Sequence, residues 1–155
     1  MAYADFEFYR TEYYGNLISE EDFDRLSAKA SDKLDYISNY RVPRYLDSII
    51  EEDTRDIVLK KLIGKATCWL AEQIKDIEDV QNMQRQASNM VDASMGIHTN
   101  VISSISSGGE SISFATNAKS SAVSEYISNP KRLNRYLFDG VREYLGGSGL
   151  LSQAL

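Results

Sequence analysis

Residues 54 to 77 read TRDIVLKKLIGKATCWLAEQIKDI, and the order of apolar and charged side chains in this stretch decides the fold class. On a helix turning ~100° per residue, Val58, Leu59, Leu62, Ile63, Ala66, Trp69, Leu70, Ile74 and Ile77 fall within an arc of roughly 160°. An arc that wide serves two packing partners, and it leaves Lys60, Lys61, Lys65, Glu72, Lys75 and Glu78 on one wet strip. Trp69, the one tryptophan of the chain, lies in mid-arc and is expected to be buried between the first and last helices. Cys68 falls outside the arc and Gln73 inside it. The Gln73 amide reads as a hydrogen-bonding group at the edge of the core.

Working outward, the chain has 155 residues, 43% of them hydrophobic, which suits one domain with a real core. A net charge of −6 argues against a protein that grips nucleic acid phosphates, since that grip needs clustered Lys and Arg. One cysteine forms no internal disulfide, and the N-terminus has neither a basic region nor a long apolar run, so a cytosolic site of synthesis is expected. No stretch approaches the ~18 consecutive apolar residues of a membrane span, so no membrane partner is expected.

Upstream, Ile18-Ser19-Glu20-Glu21-Asp22-Phe23 announces a helix. Ser19 is placed to cap it, the three acids suit the positive end of the dipole, and Ile18 is placed to staple against Phe23. Phe23, Leu26, Ala30, Leu34 and Ile37 continue one face to about Ser38. Pro43 disfavours a helical Val42, so this helix is expected to stop before it, and Tyr45, Leu46, Ile49 and Ile50 offer a short helical connector to a cap at Asp53 or Thr54. The first segment, Met1 to Ile18, carries Tyr3, Phe6, Phe8, Tyr9, Tyr13 and Tyr14 without a clean helical stripe. It reads as an extended aromatic arm, lying over its own core or reaching a neighbouring subunit.

Downstream, Val80, Met83, Ala87, Met90 and Val91 prolong the pattern weakly. Either the central helix runs to about Met95, or a second short helix starts near Asp79; Gly96 ends it. Methionines at this spacing fill cores, and they also serve adaptable contact faces. Val101 to Thr116, VISSISSGGESISFAT, reads as a hairpin about Gly108-Gly109, pairing Ile105 with Ile112, Ser103 with Phe114 and Val101 with Thr116, or as a Ser-rich linker. Such a hairpin buries little surface of its own. Ser128-Asn129-Pro130 then starts the last helix, with Leu133, Leu137, Val141, Tyr144 and Leu145 on one face and Gly146-Gly147 at its end. Lys131, Arg132 and Arg135 oppose the dipole there, as a solvated face or a charged contact. The tail, GGSGLLSQAL, carries Leu150, Leu151 and Leu155, which either fold back or insert into a partner.

No catalytic constellation emerges. With one His and one Cys, nucleophile and base pair in one way only, and the paired acids sit on solvent faces. The first-turn acids of residues 20 to 22 read as dipole partners rather than metal ligands, and Gly108-Gly109 lacks the Lys-Ser/Thr of a phosphate loop. The chain is therefore read as no enzyme, with no cofactor and no metal.

Three stretches carry a family resemblance: ISEEDFDRLSAKASDKLDYIS at 18 to 38, DTRDIVLKKLIGKATCWLAEQI at 53 to 74, and RYLFDGVREYLGGSGLL at 135 to 151. In this order around a Ser-rich hairpin, the chain resembles the head-tail connector, or adaptor, proteins of long-tailed bacteriophages. It differs from them at 79 to 97, which is long and helical, and after Leu151, where the tail is less basic. The resemblance implies a structural virion protein of the neck, made in the host cytoplasm. It implies a homo-oligomeric ring of twelve subunits below the portal protein, joined to a neck or tail-completion protein. DNA would pass through without specific binding, and an acidic channel wall would discourage its backbone from sticking. The alternative is a cytosolic helical interaction or regulatory protein that self-associates.

The expected architecture is mainly α: a small helical bundle around a long central helix, with a Ser-rich β-hairpin or loop insertion and extended N- and C-terminal arms, in one domain over 1–155. Its parts are an aromatic arm at 1–18, helices at 19–97, a hairpin at 101–116, a last helix at 129–145 and a tail at 146–155. Phe23, Leu26, Leu34, Leu62, Ala66, Trp69, Leu70, Leu137 and Val141 are expected in the core. Phe6, Phe8, Tyr9, Ile105, Ile112, Phe114, Leu150, Leu151 and Leu155 are expected at interfaces with other subunits or partners.

Overall fold

In the computed structural model, residues 2–94, 105–107, 110–112, 126–127 and 129–151 are described, with side chains given for 2–86, 126–127 and 129–151. The chain is mainly helical, built about one long helix. In order it forms α1 (Phe6–Thr11), α2 (Glu20–Ile37), α3 (Arg41–Ser48), α4 (Thr54–Ser94), the short strands β1 (Ile105–Ser107) and β2 (Glu110–Ile112), and α5 (Pro130–Leu145).

α4 is the axis, 41 residues without a break, so 79 to 94 continue the central helix. Its start is fixed by two aspartates that cap each other: Asp56 N–H donates to Asp53 Oδ1 at 2.8 Å, and Asp53 N–H donates to Asp56 Oδ2 at 3.3 Å. Leu59, Ile63, Ala66 and Leu70 are buried, as their arc requires. Val58, expected on the same face, is 52% exposed.

α2 and α5 pack along α4, and α1 covers a third side. This corrects the two-partner arrangement. Thr67, Cys68 and Ala71, on the flank facing neither α2 nor α5 in the sequence pattern, are fully buried. Phe8 lies over Gly64, where a β-carbon would come within 2.7 Å of its ring.

α2 buries Phe23, Leu26, Ser27, Ala30, Ser31 and Leu34, the i, i+3, i+4 series of an amphipathic helix. Ser19 stands at the N-cap position, yet its hydroxyl bonds to Asp22 Oδ2 at 3.1 Å and not to a helix amide. The chain leaves α2 through Asn39 and Tyr40, at φ 52° and 57°. Asparagine tolerates this left-handed backbone; for Tyr40 it costs roughly 1–2 kcal/mol. α3 then begins two residues before Pro43, so Val42 is helical and fully buried, contrary to the expectation from the proline. In a first turn the amide that proline lacks would have had no helical partner.

α5 is capped by Asn129, whose side chain accepts from the N–H groups of Lys131 and Arg132, with Pro130 at the first position. Leu137, Val141 and Leu145 are buried. Gly140 lets α5 approach Trp69, since a β-carbon there would fall 2.0 Å from the indole Cη2. Trp69 is half-buried against α5, with Tyr136 at 5.8 Å between ring centroids. It is thus a flank of the core rather than its centre. Leu62 is likewise partly buried, while Phe23, Leu26, Leu34, Ala66, Leu70, Leu137 and Val141 lie inside.

β1 and β2 pair antiparallel with Ile105 opposite Ile112, the register expected for a connection at 108–109. The expected pairs 103–114 and 101–116 lie outside the described residues.

Candidate functional site

The expected contact residues whose side chains are described all pack against the chain's own core. The aromatic arm is the first of them. It is a capped helix and not an extended strand, with Asp5 Oδ1 accepting from Phe8 N–H at 2.8 Å. Tyr9 is fully buried, and Phe6 and Phe8, partly buried, pack against the same core, so all three belong to the chain's own packing. The rings of Phe6 and Tyr9 meet Phe23, the latter at 4.8 Å between centroids.

What anchors this segment is Glu72. Tyr9 donates to its Oε1 at 2.8 Å and Tyr13 to its Oε2 at 3.1 Å. The Tyr9 oxygen also accepts from Leu17 N–H at 2.9 Å and Ile18 N–H at 3.2 Å, so one hydroxyl ties α1, the loop after it and α4 together. Burial lifts the Glu72 carboxyl above its ordinary value, against the opposing pull of the two tyrosine donors, and the nearby Asp76 charge adds to the lift. Burial and the Glu72 carboxylate push Tyr9 up to about 12, and burial drives the Tyr13 hydroxyl higher still. Burial likewise pushes the Cys68 thiol up to about 12, which keeps it a neutral, inert core group. The sequence pattern places Glu72 on the wet strip; in the fold it is half-buried beneath the aromatic segment. The signal that would have located it is the i, i+4 spacing of Cys68 and Glu72 on a flank that a tyrosine-rich segment had to cover.

The C-terminal tail also belongs to the chain's own fold. Leu150 and Leu151 are 7% and 8% exposed and join the core, which corrects their assignment to a partner. The turn to reach it uses Gly149 at φ 78°, and Arg41 points its Nη1 at the carbonyls of Gly149 and Leu151, each at 3.5 Å. Phe114 and Leu155 lie outside the described residues. Of Ile105 and Ile112, the strand pairing is what is described.

Gln73, the polar residue inside the apolar arc, accepts from the Tyr136 hydroxyl at 2.9 Å, as a core-edge amide should. Among the described residues no buried side-chain nitrogen or oxygen lacks a partner, and no three His, Cys, Asp or Glu side chains are grouped to hold a metal ion. A shallow groove on α2 and α5 is lined by Lys29, Asp32, Lys33, Tyr36 and Asn134. Its Lys33 is occupied by Asn134 Oδ1 at 2.8 Å, and burial lowers its pKa.

Among the described residues the large apolar side chains that stay exposed are Tyr14, Leu17, Tyr36, Tyr40, Ile50, Ile57, Val58 and, on the later part of α4, Met83. Residues 81 to 86 are all exposed, Met83 to 59%. No described helix is long and apolar enough to cross a membrane. No protein-family model, curated protein or solved structure matches the chain.

Proposed function

We propose that this chain is a head-tail connector of a long-tailed bacteriophage, a ring-forming subunit placed between the portal and the tail, and that it has no catalytic role. The observation that carries the reading is the overhang of α4. At 1.5 Å per residue its 41 residues span about 60 Å, against about 27 Å for the 18 residues of α2 and 24 Å for the 16 of α5. The excess helix leads to a two-stranded pairing, β1 with β2, of a kind that is marginal in water alone. Such an element gains its support when neighbouring subunits pack against it. The net charge of −6 suits a wall past which DNA slides without sticking.

The test is location. An antibody against the chain, applied to purified virions of the phage that encodes it and viewed by electron microscopy, should label the neck between head and tail. Virions free of the chain, with the protein confined to the extract of infected cells, would contradict the reading and favour a self-associating regulatory protein.

A further inference from the structure

The end of the bundle at which α4 begins carries apolar side chains that stay in water. Among the described residues five large non-aromatic apolar side chains are exposed, Leu17, Ile50, Ile57, Val58 and Met83, and three of the five belong to the corner between α3 and α4. Ile50 is 96% exposed, Ile57 47% and Val58 52%. Ile57 and Val58 lie at the start of α4, and Ile50 lies in the turn that leads into it. Every residue from 41 to 62 is described, so α3, α4 and their connection do not themselves cover this corner. Water disfavours such a group, and a segment that covers it is stabilised in doing so.

The path of the C-terminal tail leads to this end. Tyr136 of α5 meets Gln73 of α4, and Gly140 faces Trp69, so α5 runs antiparallel to α4 and delivers the tail to the end where α4 starts. There Leu150 and Leu151 join the core, and Arg41 at the start of α3 points its Nη1 at the carbonyl oxygens of Gly149 and Leu151, each at 3.5 Å. The described tail therefore ends beside the start of α3. One helical turn along α3, the Tyr45 hydroxyl donates to Asp56 Oδ1, and Ile57 and Val58 follow directly on Asp56. Residues 152–155, Ser-Gln-Ala-Leu, lie outside the described residues. Four residues reach about 13–14 Å when extended, against about 5 Å for the turn of α3 that separates Arg41 from Tyr45. Leu155 is the large apolar side chain among the four.

We propose that the corner formed by Ile50, Ile57 and Val58 is the docking surface of residues 152–155, with Leu155 set against Ile57 and Val58, so that the tail straps α3 to the start of α4. This segment is the occupant because Leu150, Leu151 and Arg41 already hold the tail at this end. Its last apolar side chain meets the corner at the high effective concentration of a short tether, whereas a second copy or another protein meets it at its concentration in solution.

The test is a coupling measurement by thermal melting of the full chain, with Val58→Ala, Leu155→Ser and the two combined. Alanine is the better helix former, so the substitution at an uncovered position 58 costs little, while beneath Leu155 it removes a contact. Val58→Ala should lower the melting temperature by about 2 °C more in the wild-type background than in the Leu155→Ser background. The difference should be the same at protein concentrations tenfold apart, as a contact within one chain requires. Ile57→Ala repeats the cycle should Val58→Ala unfold, and truncation after Leu151 repeats it with the whole segment removed. Equal shifts in the two backgrounds overturn the inference. So does a coupling that grows with protein concentration, which assigns Leu155 to a second copy, or one that appears only in assembled particles, which assigns it to another protein. The location of the chain in virions is decided separately, so either reading can fail without the other.

Discussion

Tyr9 donates a hydrogen bond at 2.8 Å to Oε1 of Glu72, 63 residues later in the chain. Through it the N-terminal segment becomes part of the bundle's own core. Tyr9→Phe removes this donor and also the acceptor for Leu17 and Ile18 N–H. Chemical denaturation should show a loss of about 1–3 kcal/mol, the cost of leaving buried polar groups unmatched. A loss below ~0.5 kcal/mol would mean that the segment is not held at this point.

Glu72 also sets a pH dependence. Its folded pKa is raised, burial being the largest cause, so the stability it contributes is fully present below the ordinary carboxylate value. That contribution is lost as pH rises through the raised folded value. Glu72→Gln keeps an acceptor for Tyr9 and removes the titration. Difference melts between wild type and this variant should therefore favour the variant progressively from about pH 4 upward. A variant that loses ground to wild type over that range would reverse the sign and refute the assignment.

Gly140 and Trp69 are matched in shape. A β-carbon at 140 would lie 2.0 Å from the indole, so Gly140→Ala should destabilise by about 1–3 kcal/mol through overpacking. Trp69→Leu opens the space, and in that background Gly140→Ala should cost clearly less; the coupling between neighbours is what a double-mutant cycle measures. Additive effects would show that the two do not touch. Because Trp69 is half-buried, its emission should lie between that of a fully buried and a fully exposed indole.

The tail predicts a stability effect as well. Truncation after Ser148 removes Leu150 and Leu151, each worth roughly 1.5–3 kcal/mol when fully buried. The melting temperature should fall by several degrees, at about 2–4 °C per kcal/mol for a chain of this size. An unchanged melt with lost attachment to virions would place the tail outside its own domain.

Removal of residues 103 to 114, by contrast, should leave the cooperative melt intact, since β1 and β2 pair with each other over three residues each and a two-stranded pairing adds little stability of its own. Loss of that melt would show that the paired strands support the core.

Much of this was legible in the sequence. α2, α4 and α5 carry long apolar stripes at helical spacing, and Asn129-Pro130 and Asp53 mark their starts. Six residues make α1 too short for a stripe, and Phe6 and Phe8, two apart, imitate an extended chain. Its position over Cys68 and Glu72 is not legible there, because periodicity places a residue on a face without saying which neighbour covers that face. Leu150 and Leu151 pose the same difficulty: after a run of glycines, apolar residues imply a groove but not whose. Val42 shows the limit of a local rule, since Pro43 forbids a helix interior and permits a helix start.

The proposed ring makes α4 a core helix along its first part and a surface for other subunits along its last. Hydrogen exchange along α4, measured in the isolated chain and in assembled particles, tests it most directly. In the isolated chain, amides of residues 59 to 77 should exchange only through opening close to global unfolding, and those of 81 to 94 much faster through local fraying; on assembly the second group should become protected. Uniform protection of α4 in the isolated chain, or no gain beyond residue 81 on assembly, would contradict the account.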